Sequence, residues 1–119
     1  EYVELAAEVF ALLSDPTRIR ILLALEQGEL PVGVLAEQVG KLPAAVSQHL
    51  AKLRWAKMVQ ARHEGTRVYY SLIDEHAAEL VHQAVYQAEH VVDLWPKHHL
   101  QVEPEETPGG VSDAERAGR

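Results

Sequence analysis

The spacing of apolar residues predicts four helices, then a change of period, then one more helix. From Tyr2 to Leu13, the residues Leu5, Ala6, Val9, Phe10, Leu12 and Leu13 cover more than one helical face. A first helix of this kind is expected to pack on the body and on something further, such as a second subunit. Ser14-Asp15-Pro16-Thr17-Arg18 is a break followed by a restart, with Asp15 as N-cap and Pro16 at the first helical position. The second helix runs through Ile19, Leu22, Leu23 and Leu25, and Gly28 closes it. A short helix opens at Pro31-Val32, turns Val34, Leu35 and Val39 inward, and ends at Gly40.

The stretch from Pro43 to Arg54 organises the rest. Val46, Leu50 and Leu53 recur at i, i+4 and i+7 and share one apolar face. Ala44, Ala45, Ser47, Gln48 and His49 crowd the other side near its start, and Lys52, Arg54 and Lys57 follow. Two short helices joined by a tight glycine turn carry the helix-turn-helix signature. A buried back, a small polar front and basic flanks suit a helix that enters the major groove of double-stranded DNA. After Trp55 the period falls to 2. Val59 and Ala61 alternate with Gln60 and Arg62; Val68, Tyr70 and Leu72 alternate with Arg67, Tyr69 and Ser71. His63-Glu64-Gly65-Thr66 lies between, so a β-hairpin is expected, with Gly65 supplying a positive φ and Arg62, His63 and Arg67 at the tip. A basic hairpin directly after a helix-turn-helix is a wing, able to lie along the DNA backbone. The last helix runs from Asp74, a candidate cap, to about Val92. Ala77, Leu80, Val81, Ala84, Val85 and Ala88 form its stripe, and Pro96 bars continuation. The expected fold is mainly α with a β-hairpin (α+β), a winged helix-turn-helix in residues 1–93. Residues 94–119 form a His-bearing, mostly flexible tail.

Charge sharpens this picture. The chain of 119 residues has a net charge of -7, which alone argues against a nucleic-acid binder. Its distribution reverses the argument: residues 41–73 hold Lys41, Lys52, Arg54, Lys57, Arg62 and Arg67 against Glu64 alone, while both ends are acidic. A basic middle attracts phosphates. The chain has no cysteine, which excludes disulfides, thiolate metal sites and a thiol nucleophile. No apolar run reaches the roughly 20 residues of a membrane helix, and no secretory signal is visible, so a cytoplasmic protein is expected. Glu1 in place of a starting Met suggests a segment upstream.

These segments resemble the ArsR/SmtB family of bacterial metal-responsive repressors. The match is carried by Ser14-Asp15-Pro16-Thr17-Arg18, Leu35-Ala36, Val46-Ser47-Gln48-His49-Leu50 with Leu53, and Glu64-Gly65-Thr66-Arg67-Val68-Tyr69-Tyr70, over roughly residues 5 to 93. The resemblance implies a homodimer joined through the first and last helices and bound to operator DNA. It implies that Ser47, Gln48 and His49 approach bases, with Ala44, Lys52, Arg54 and His63 in the interface, and that Arg62 and Arg67 contact phosphates. It also implies a metal site on the last helix. Asp74, His76 and His90 fit the family pattern there, but Gln87 stands where a His is common. The C-terminal region is more similar to the nickel- and cobalt-sensing actinobacterial branch, whose sensing set corresponds to His76, Glu89, His90, His98 and His99.

Helix geometry constrains such a site. His76 and His90 are 14 residues apart, nearly in phase but about 21 Å apart along the axis. One helix cannot bring both to a single ion, whereas two antiparallel helices across a two-fold axis create two equivalent sites. Imidazole and carboxylate suit Ni(II), Co(II) and Zn(II), and five or six ligands favour Ni(II) or Co(II), with Zn(II) as the alternative. Ordinary roles compete: His76 as a helix-start residue, His98 and His99 as a mobile surface pair, His82 on the surface. A winged-helix repressor sensing a small molecule, or nothing, also fits. A metal-dependent hydrolase is disfavoured because no HExxH, phosphate loop or positioned nucleophile appears. A protein–protein scaffold leaves the basic hairpin unexplained.

Overall fold

The structure is a computed structural model and describes residues 1–94. His98, His99, Pro96 and the expected tail lie outside the described residues. The element order is α1 (Tyr2–Leu12), α2 (Pro16–Leu25), β1 (Leu30–Pro31), α3 (Val32–Val39), α4 (Pro43–Trp55), β2 (Val59–Glu64), β3 (Arg67–Leu72) and α5 (His76–Leu94). The expected winged helix-turn-helix is therefore present, mostly helical with one small antiparallel sheet. The chain divides into a unit Glu1–Gln83 and a second unit that begins at Ala84, inside α5.

In the first unit, the core gathers Ile21 and Leu22 of α2, Leu35 of α3, Val46, Leu50 and Leu53 of α4, and Val59 of β2, all at 1% exposure or less. Ala77 and Val81 of α5 join the same cluster. The apolar stripe of α4 is thus a core face, as its spacing requires. Asp15 caps α2 by accepting the Thr17 backbone N–H at 3.0 Å, and Pro16 takes the first turn. Helix α2 ends at Leu25, ahead of Gly28, which adopts φ 135° in the following turn.

Three features depart from the sequence reading. A third strand, β1, pairs Leu30 with Tyr70 and Pro31 with Tyr69, giving the order β1-β3-β2. Two residues are too few to show a period, and Pro31 is tolerated because β1 is an edge. As the central strand, β3 has Val68 to Leu72 all half-buried in place of strict alternation. Strand β2 also extends to Glu64, opposite Arg67, so the turn is only Gly65-Thr66. Gly65 at φ 61° gives the first turn position the left-handed backbone such tight hairpins use.

The terminal helices present uncovered apolar surface. No residue of α1 is buried, and Tyr2 and Phe10 are 84% and 61% exposed. On α5 only Ala77, Ala78 and Val81 are buried; Leu80, Val85, Tyr86, Val92 and Leu94 are exposed.

Candidate nucleic-acid interface

The helix-turn-helix is built by α3, Gly40 and α4. Gly40 ends α3 at φ 70° and ψ 36°. Its N–H donates to the Glu37 carbonyl at 3.3 Å and the Lys41 N–H to Ala36 at 3.1 Å, the paired bonds of a Schellman ending. Leu42 is extended, and Pro43 starts α4 with a φ already suited to a helix. The register that buries Val46, Leu50 and Leu53 leaves Ala44, Ser47 and Gln48 exposed on the front, with Lys52 and Arg54 exposed further along.

His49 does not stand with that front. It precedes buried Leu50 and follows buried Val46 by three positions, which puts it on the flank of the stripe. Its Nδ1 receives a hydrogen bond from Arg18 Nε at 3.0 Å and lies 3.6 Å from Asp15 Oδ2. The imidazole therefore engages α2, where the sequence reading grouped it with Ser47 and Gln48.

The wing also differs in detail. Arg62 donates to Glu29 through Nε at 3.2 Å and through Nη2, and to Glu64 through Nη1 at 2.8 Å. Its guanidinium lies 4.8 Å from the centre of the Tyr69 ring, its cross-strand neighbour. The Arg62 hydrogen bond holds the Glu29 carboxyl below its ordinary value, and the two carboxylates raise Arg62 further above its own. Arg62 is thus committed to acidic neighbours. Arg67, 5.7 Å from the same ring, and His63 are exposed at the tip. Glu29 has no period or motif to betray it, being 33 residues from Arg62.

Of the residues singled out for metal, the described ones (Asp74, His76, Glu89 and His90) form no cluster in one chain. Asp74 Oδ1 accepts the backbone N–H of His76 at 2.9 Å, so this carboxylate serves the start of α5. His76, Glu89 and His90 are exposed. Among the described residues, no group of three or more His, Cys, Asp or Glu side chains is close enough to hold an ion. The donor set of imidazole and carboxylate nonetheless suits a borderline divalent cation. His82 contacts Glu26 Oε1 through Nε2 at 2.7 Å, a surface pairing between α5 and the end of α2.

Comparison with known proteins accords with this geometry. The model of the bacterial regulatory protein, arsR family, matches residues 15–61, from the α2 cap to the middle of β2. The chain is similar to the HTH-type transcriptional regulator KmtR of Mycobacterium tuberculosis, with 48% identity over 83% of this chain and 76% of that one. It is also similar to a cadmium resistance transcriptional regulatory protein, a CadC homolog, of Staphylococcus aureus (39% identity, 74% of each chain). The homodimeric winged helix-turn-helix DNA-binding domain from Mycobacterium bovis superimposes with a TM-score of 0.67 at 34% identity, over 76% of this chain and 85% of that one. With the reading helix, the wing and these relatives in agreement, the chain belongs to the ArsR family of bacterial transcriptional regulators and is not an enzyme.

Proposed function

We propose that two copies of the chain form a repressor that sits on a palindromic operator and leaves it when Ni(II) or Co(II) binds. The observation that carries this reading is the exposed Ala44-Ser47-Gln48 face of α4, backed by a core stripe and flanked by the Arg67 wing, in a protein whose α1 and α5 present uncovered apolar surface. Residues 1–93 act as the DNA-binding and dimerisation domain, with 94–119 as a His-bearing tail, and the protein works in the cytoplasm. No described helix is long and apolar enough to cross a membrane. Ser47 and Gln48 meet base edges; Lys52, Arg54 and Arg67 meet phosphates.

His76 of one copy with Glu89 and His90 of the other would hold the ion, joined by His98 and His99. When bound, the ion supplies a cross-link between the two last helices, which favours one arrangement of the subunits. A cadmium resistance relative supports a metal as effector. The absence of cysteine here moves the preference toward ions that accept nitrogen and oxygen. Operator affinity measured at fixed salt with and without nickel, cobalt and zinc tests the reading. Weakening by nickel or cobalt supports it, and identical affinity in every case removes the sensor while leaving the repressor.

The second reading is the same repressor answering to Zn(II) or to no metal. Asp74, already engaged as a cap, and Gln87, which stands where a His is common, favour its no-metal form over its Zn(II) form. Replacing His76 and His90 together separates the two, since a retained response would refute the ligand assignment.

A further inference from the structure

Arg18 stands where three helices meet. It lies in the first turn of α2, and its guanidinium donates in two directions. Nη1 reaches the backbone carbonyl of Leu12, the last residue of α1, at 3.0 Å; Nε reaches Nδ1 of His49 on α4, also at 3.0 Å. The Leu12 carbonyl has no partner within its own helix, and a cation at that end is favourable. The fork is planar, rigid and permanently charged, so the two contacts keep a fixed angle. Because arginine only donates, Nδ1 of His49 accepts, and the ring proton sits on Nε2. Asp15 Oδ2, 3.6 Å from Nδ1, is too far for a hydrogen bond, and Oδ1 takes the Thr17 N–H. The carboxylate lies beside the junction without replacing Arg18.

Helix α1 carries apolar surface that one chain does not cover, whereas α4 carries the reading face. We propose that Arg18 is the positioning residue that sets the angle between them, so that a shift of α1 at the subunit contact turns α4 with it. The proposal rests on the reading of the protein as a DNA-binding dimer and adds the residue through which the dimer contact and the reading head are joined.

The test uses the full chain and a duplex that the native protein selects from random-sequence DNA, rebuilt with its half-sites two base pairs closer or further apart. That change moves one half-site about 7 Å and turns it about 70° relative to the other. The native protein is expected to lose about tenfold or more on the altered spacing. Arg18→Gln and Arg18→Lys, which lack the rigid fork, are expected to remain dimers and to discriminate by less than about threefold. His49→Asn keeps an acceptor near the position of Nδ1 and is expected to retain the native ratio. Arg18→Gln and His49→Phe are expected to act non-additively on that ratio in a double-mutant cycle. A native ratio in Arg18→Gln, or strict additivity, overturns the proposal. Should Arg18→Gln fail to fold, His49→Phe alone must lower the ratio, and an unchanged ratio there overturns it equally. A native protein that selects no duplex defeats the DNA-binding reading itself, a result distinct from an unchanged ratio.

Discussion

The Arg62 guanidinium grips Glu29 with two nitrogens, Nε on Oε2 at 3.2 Å and Nη2 on Oε1 at 2.5 Å. This pairing ties the wing to the connection between α2 and α3, next to β1. It orients the hairpin, and it spends on a carboxylate the charge that sequence alone assigns to DNA. The free charge of the wing then rests on Arg67.

Salt dependence separates the two arginines. Removing one lysine or arginine that neutralises a phosphate makes the slope of log affinity against log salt shallower by about 0.9. Arg67→Ala is expected to flatten it by that amount in anisotropy titrations. Arg62→Ala is expected to change it far less, and Glu29→Gln to steepen it as Arg62 becomes available.

Acid stability follows from the same pair. The Glu29 carboxyl is held below its ordinary value of 4.5 because Arg62 stabilises the ionised form. Its contribution to stability is whole above that value and lost as pH falls through the lower folded value. Melting temperature scanned downward from pH 6 is expected to fall less steeply for Glu29→Gln than for the native chain in this window. Because the pair is exposed, the difference is expected to be small and to shrink in high salt.

Lys57 occupies the left-handed position after α4, with φ 65°. Its N–H donates to Arg54 at 2.9 Å and the Met58 N–H to Leu53 at 3.0 Å, a Schellman ending that favours glycine. Lys57→Gly relieves the Cβ clash and is expected to stabilise the fold by about 0.5–1 kcal/mol in urea melts, after the greater chain entropy of glycine is offset.

Asp15 caps α2 through the Thr17 N–H, and two substitutions isolate that role. Asp15→Ala removes the α2 cap and is expected to cost about 1 kcal/mol in the same melts. Asp15→Asn, an equally good cap, is expected to restore that stability.

The elements were largely legible because their signals are local. Three apolar residues at helical spacing placed the back of α4, Asp15-Pro16 placed the start of α2, and alternation placed β2 and β3. What escaped was set by tertiary pairing. β1 is two residues long and exists only because β3 has a free edge. The partners of Arg62 and His49 lie 33 and 31 residues away in sequence. A basic side chain in a wing reads as a phosphate contact until its carboxylate neighbour is seen. The residues proposed as metal ligands could be picked out in the sequence only by type and helical phase, and the described residues of one chain do not gather them.

The central claim, that each metal site draws His76 from one copy and His90 from the other, can be tested by mixing. His76→Ala and His90→Ala proteins are each expected to show no cobalt absorption bands of the native kind. Unfolded together and refolded as a mixture, they form mixed dimers in which one site keeps both histidines. The bands are then expected to return at about a quarter of the native intensity per chain. Bands that stay absent in mixed dimers of confirmed composition, or that persist in either variant alone, would contradict the claim.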